Sequence, residues 1–165
     1  MNEEILEEVC ALGGEVLRSD QMQALRAFRQ HGSVSRYAHC LSVAYLSLAM
    51  ARRLRLHVDA RCMVRGALLH DFFLYDWHDK GRRSPLHGFT HPGVAERTAR
   101  EHFPLTKAEC EVIRRHMFPL TPAWPKTREA MLVSLADKVS AVMETLGIPA
   151  GMRIVRACDE VHANH

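Results

Sequence analysis

The sequence has no Cys-x-x-Cys pair, no strand-like alternation, no long unbroken apolar run and a net charge of only +3. Each absence narrows the reading. The five cysteines, Cys10, Cys40, Cys62, Cys110 and Cys158, are odd in number, widely scattered and mostly set among apolar helical neighbours. That pattern argues against a disulfide framework and for buried thiols in a reducing cytoplasm. The longest apolar stretch, Leu41 to Ala51, is interrupted by serines and is too short to span a bilayer. The N-terminus, Met1-Asn2-Glu3-Glu4, is acidic where a signal peptide is basic. So small a net charge gives no argument for a nucleic-acid polymer or a membrane surface as partner. There is no internal repeat and no low-complexity tract. The expectation is a cytoplasmic, soluble protein whose oligomeric state stays open.

What is present is a helical pattern and an excess of histidine. Hydrophobic residues make up 47% of the 165 and charged residues 25%, enough for one domain over 1–165 with its core at about 20–147 and flanking terminal helices. Eleven histidines are many for this length and hint at metal chemistry. Ile5, Leu6, Val9, Leu12 and Val16 predict a first helix over Glu3 to Leu17, weakened at Gly13-Gly14. A second is expected from about Asp20 to Gln30, capped by Ser19 or Asp20, and Ser33 is placed to cap a third that runs to about Arg53. Asp59 caps a fourth, Pro92 suits the first position of a fifth with His91 as its cap, and Thr106-Lys107-Ala108-Glu109 reads as a capping box for a sixth. Thr127 caps a seventh, with Leu132, Leu135, Ala136, Val139, Val142, Met143 and Leu146 as its expected buried stripe, and a short helix follows to about Val161. The fold class is all-α.

The chain is organised around Ala67-Leu68-Leu69-His70-Asp71-Phe72-Phe73, an apolar helical run that ends in an adjacent imidazole and carboxylate. Helix neighbours point about 100° apart, so such a pair offers ligands in two directions. Two polar groups in this apolar company cost several kcal/mol if unpaired, so something must satisfy them. Partners of the right chemistry are His39, His91, His116 and Asp137, each near a helix end or on an inward face. Asp137 is the hardest to explain by packing alone, because it interrupts Leu135-Ala136-Asp137-Lys138-Val139. His87, four residues before His91, competes for its role. Imidazole and carboxylate ligands without cysteine suit iron, manganese, cobalt, nickel or zinc and argue against a structural zinc knot.

The motifs Arg36-Tyr37-Ala38-His39, Leu69-His70-Asp71, His91-Pro92, Arg115-His116 and Leu135-Ala136-Asp137-Lys138, in that order, resemble the HD superfamily of metal-dependent phosphohydrolases, in its two-metal subset. The resemblance covers roughly Ser33 to Glu144 and implies a compact multi-helix bundle. It also implies a division of ligands: His39, His70 and Asp137 for one divalent ion, His91 and His116 for a second, and Asp71 bridging both. Iron or manganese is the expected pair. The implied activity is hydrolysis of a small phosphate ester or nucleotide by a hydroxide shared between ions about 3.5–4 Å apart. Arg36 and Lys138, beside ligands, and Lys80 are the expected substrate-binding cations. Arg82, Arg83 and Lys126 are weaker candidates. His78, with Asp76, is placed for acid–base work together with the catalytic Asp71. Phe73, Tyr75, Trp77 and Trp124 are candidates to stack on a base.

Two departures from the pattern matter. Several two-metal members carry a lysine three residues after the Asp of the pair, where this chain has Leu74, so its role would pass to Lys80 or His78. The glycine-tyrosine-proline signature of cyclic-dinucleotide phosphodiesterases is missing, which disfavours that substrate. Other functions carried by the same residues are a di-iron oxygenase, a one-metal nucleotidase using only His39, His70, Asp71 and Asp137, and a non-catalytic regulatory module.

Overall fold

A computed structural model of the chain describes residues 1–30, 34–75, 87–148 and 150–163. Its elements are α1 (Glu3–Leu17), α2 (Asp20–Ala24), a single 3-10 turn (Leu25–Ala27), α3 (Arg36–Arg53), α4 (Ala60–Leu69), α5 (His87–His102), α6 (Lys107–Arg115), α7 (Arg128–Thr145) and α8 (Ala150–Ala163). No strand occurs among the described residues; one isolated bridge joins Arg29 to Ser35. The all-helical expectation holds. None of the described helices is long and apolar enough to cross a membrane.

Local chemistry explains most helix starts. The side chains of Asn2, Ser19, Ser35, Asp59, Thr106 and Thr127 each accept from a backbone N–H in the first turn of α1, α2, α3, α4, α6 and α7. Such caps are worth about 1 kcal/mol each. At α6 the full capping box forms, with Glu109 reaching back to the Thr106 N–H at 2.7 Å. The other Glu109 oxygen accepts from Arg65 at 2.5 Å, so one carboxylate caps α6 and ties it to α4. At its other end α7 stops at Gly147, whose φ of 73° closes the helix at a conformation glycine adopts without strain.

Helix α3 is the axis of the bundle. It packs against α1, α4, α7 and α8, and from Arg36 to Ala44 every side chain is buried. Over that stretch the helix is enclosed on all sides and has no solvent face, and its sequence accordingly lacks a clean polar stripe there. Below it, α4 carries Met63, Val64, Ala67, Leu68 and Leu69 into the core, and Phe72 and Phe73 follow, fully buried. Phe72 meets Phe103 edge to face at 5.5 Å. Each such apolar side chain contributes roughly 1.5–3 kcal/mol by leaving water.

Several expectations need correction. Gly13-Gly14 does not interrupt α1; a Cβ on Gly13 would lie 2.4 Å from Leu68, so the glycine lets α1 and α4 approach closely. The second helix gives way to a 3-10 turn at Leu25 and ends at Ala27. Ser33 lies outside the described residues, and Ser35 is the cap of α3. Helix α5 opens at His87, which puts Pro92 inside it and makes His91 an internal residue rather than a cap. Helix α8 runs its full length to Ala163. On α7, Leu132 and Ala136 are buried, but Leu135, Val139, Val142 and Leu146 face solvent. The inward row is instead Ala130, Val133, Asp137, Ser140 and Glu144, because the two acidic residues must reach α3.

Candidate metal centre

Five helices deliver six ligand-type side chains to one buried place. His39 comes from the second turn of α3. His70 and Asp71 come from the C-terminus of α4, His91 from α5, His116 from the C-terminus of α6 and Asp137 from the middle of α7. All six are buried, Asp137 least so at 8% exposure. Ligand atoms fall into three overlapping triads: His39, His70, Asp71; His70, His116, Asp137; and Asp71, His91, His116, each within 4.8 Å.

The backbone selects the tautomers. Nδ1 of His70 lies 2.7 Å from the Ala67 carbonyl, and Nδ1 of His116 lies 2.7 Å from the Ile113 carbonyl. A carbonyl only accepts, so both Nδ1 atoms carry hydrogen, and Nε2 is the nitrogen of each neutral ring that can present a lone pair to the centre. Both histidines cap a helix C-terminus, where each ring bonds back to a carbonyl three residues earlier. The Nε2 atoms of His91 and His116 are 2.9 Å apart. Two nitrogens bound at about 2.1 Å and at right angles on one six-coordinate ion would lie about 3.0 Å apart, close to this separation.

Asp71 is shared. Its Oδ1 is 3.1 Å from His91 Nε2 and 3.6 Å from His116 Nε2, while Oδ2 is 3.6 Å from His70 Nε2 and 4.0 Å from His39 Nε2. Asp137 Oδ1 lies 3.1 Å from His39 Nε2 and 3.7 Å from His70 Nε2. His70 Nε2 and Asp71 Oδ1 have no hydrogen-bond partner among the described residues. Buried polar atoms left this way cost free energy that a bound cation recovers, so the donor set fits a metal.

Electrostatics divide the site. Burial alone would lower the His39 pKa, but hydrogen bonds to Asp137 and Glu144 overcome it and raise it to about 10. For His70 the neighbouring Asp71 charge overcomes the same burial penalty and lifts it well above the usual value. Burial, reinforced by repulsion from His70 and His91, pushes His116 down to about 3. Burial would raise both aspartates, yet His70 and His91 beside Asp71, and a hydrogen bond from His39 together with the nearby His70 at Asp137, hold them well below the carboxylate range.

The surroundings revise the roles given to cations. Arg36 is completely buried and does not face solvent as a substrate contact. Its Nε bonds to Gln30 at 3.0 Å, its Nη1 to the carbonyls of Phe73 and Tyr75 at 2.6 and 3.1 Å, and its guanidinium stacks on Phe73 at 3.8 Å. Lys138 is partly exposed; its ammonium reaches Asp137 Oδ2 at 3.1 Å and also the His116 carbonyl. Phe73 and Tyr75 stack on each other at 4.9 Å, and Trp124 packs on Phe118. Asp76, Trp77, His78, Lys80, Arg82 and Arg83 lie outside the described residues, as does the side chain of His87.

One residue that sequence reasoning missed is Glu144, 5% exposed, whose two oxygens lie 3.0 Å from His39 Nδ1. A carboxylate behind a ligating histidine fixes the ring and raises its basicity. Its signal was present: Glu144 follows Asp137 by seven residues, two helical turns along the same face.

An all-helical bundle whose helix ends converge on buried histidines and aspartates of metal-ligand character defines the class. Residues 36–142, well over half of the chain, match the family model described as HD domain, and the chain belongs to that family. Comparison with curated proteins and with solved structures gives no match.

Proposed function

We propose that this chain is a metal-dependent phosphohydrolase acting on a small phosphate-containing substrate through two divalent ions, iron or manganese. The observation that carries the proposal is Asp71, with one oxygen toward His91 and His116 and the other toward His39 and His70. His39, His70 and Asp137 are suited to hold one ion, His91 and His116 the other, with Asp71 common to both. When bound, such a pair supplies Lewis acidity to phosphoryl oxygens and lowers the pKa of water at the site.

The chain's own part is to hold the ligands ready. Carbonyls of Ala67 and Ile113 keep His70 and His116 in the ligating tautomer. Glu144 accepts from His39 Nδ1–H and leaves Nε2 for the centre. Burial excludes bulk water and strengthens every charge interaction inside. Lys138, partly exposed beside Asp137, is the described cation best placed to meet a phosphate oxygen at the rim.

The test is metal content and phosphate release by tag-free protein purified anaerobically without chelator, wild type beside Asp71→Ala. Substrates should span monoesters, phosphodiesters and dinucleoside polyphosphates. The wild type should bind two equivalents and release phosphate equally well without oxygen. The variant should lose roughly 10³-fold or more of that activity. An Asp71→Ala protein with full activity sinks the proposal.

A further inference from the structure

Asp71 can serve both histidine groups only while its carboxylate keeps one rotation about its side-chain bond. Its own backbone does not fix that rotation. Beside it stands Gln30, buried at 8% exposure just beyond the 3-10 turn and far from Asp71 in sequence. The Gln30 amide donates through Nε2 to Asp71 Oδ2. Its other end, Oε1, accepts from Arg36 Nε at 3.0 Å.

The amide's orientation follows from chemistry. A guanidinium has only donors, so the end of Gln30 that faces Arg36 must be the carbonyl oxygen. The end that faces Asp71 is then the NH2 group, and the carboxylate oxygen beside it must be an acceptor without a proton. Arg36 itself has no freedom to turn. It is wholly buried, bonded to the Phe73 and Tyr75 carbonyls and stacked on the Phe73 ring. Phe73 is in turn tied to Asp71 by a backbone bond of 2.9 Å. The segment carrying Gln30 is anchored to the start of α3, with Arg36 N–H donating to the Phe28 carbonyl at 2.8 Å and Gln30 N–H to the Val34 carbonyl at 2.9 Å.

We infer that Gln30, oriented by Arg36, is a positioning residue that sets the rotation of the Asp71 carboxylate and so aims one oxygen at each half of the centre. The inference rests on the two-ion reading above. Arg36, expected to grip substrate, serves instead to hold the amide that holds Asp71. The carboxylate oxygen on the His39 and His70 side carries a fixed hydrogen bond, and the oxygen on the His91 and His116 side does not. Losing Gln30 releases Asp71 to turn, and the group that depends most on it is His91 with His116, because Asp71 is the carboxylate grouped with both of them, whereas Asp137 is grouped with His116 alone.

The experiment is a manganese(II) titration followed by electron paramagnetic resonance, with helix content checked by circular dichroism. It compares wild type, Gln30→Met and Gln30→Glu. Methionine keeps the length and removes both hydrogen bonds. Glutamate keeps an acceptor for Arg36 but offers no donor to Asp71, and it carries the test if the methionine variant fails to fold. Wild type should bind two ions with a spin-coupled signal. The variants should bind the second ion about 10–100-fold more weakly and lose the coupled signal. Binding as tight as wild type, or tighter, in a folded variant overturns the inference. Wild type that binds no manganese overturns the inference together with the metal-centre reading. Wild type that binds two ions yet hydrolyses no phosphate substrate defeats the hydrolase reading alone, and the titration still decides Gln30.

Discussion

The two halves of the centre are built from the same residue types and prepared in opposite ways. On one side, His39 sits between Asp137 at 3.1 Å and Glu144 at 3.0 Å, with His70 nearby. On the other, His91 and His116 face each other at 2.9 Å, and Asp71 is the carboxylate grouped with both. The carboxylates raise His39 to about 10, so this half holds a proton at neutral pH. Burial and neighbouring imidazoles push His116 to about 3, so this ring on the other side refuses one. A metal entering the first half must displace protons; one entering the second finds at least His116 already neutral. Carboxylate count, more than histidine count, sets how each half competes with protons for a cation.

His116→Ala tests the separation most severely. It should remove about one equivalent of bound metal and leave the His39 half loaded, as measured by elemental analysis. Loss of both equivalents would show that the halves bind only as a unit. Glu144→Gln is a milder probe of the other side. It should weaken metal binding there by about 10–100-fold in calorimetric titration, with little effect at His91 and His116. A uniform loss at both sites would erase the contrast.

The smallest effect is on the metal-free protein's pH profile. The folded pKa of His39 lies above its unfolded value of about 6.5, as does that of His70. Their contribution to stability is therefore complete below pH 6.5 and is lost as pH rises, through about 10 for His39. The folded pKa of His116 lies below 6.5, so the unfolded chain takes up its proton first and stability falls from pH 6.5 toward about 3. Metal-free Tm should peak near pH 6.5 and decline on both sides, and saturating metal should flatten the alkaline limb. A metal-free Tm that rises steadily from pH 6.5 to 10 would contradict the charge assignment at His39.

Much of the centre was legible from spacing and order. His70-Asp71 at the end of an apolar helix, and Asp137 inside one, stood out because buried polar groups need partners. Arg36 misled because its position beside His39 suggested a cation at the mouth of the site, whereas the fold encloses it completely. Glu144 could have been found by the two-turn rule from Asp137. Gln30 could not, since nothing near it in sequence announces a partner 41 residues away. The α7 stripe failed for a related reason. Apolar periodicity favours turning Leu135, Val139, Val142 and Leu146 inward, but Asp137 and Glu144 occupy another face and must meet His39. Leaving a buried histidine without its carboxylates costs more than leaving a few aliphatic side chains in water, so the charged residues set the helix's rotation.

The sequence by itself determined the helical class, most helix caps and the set of ligand-type residues, because capping, periodicity and polar residues in apolar runs are local chemistry. Only the tertiary structure decided which oxygen of Asp71 faces which histidines, that Arg36 turns inward, and that Gln30 and Glu144 stand behind the ligands. These depend on contacts between segments distant in the chain, where helix rotation and burial choose among partners that local sequence leaves equal.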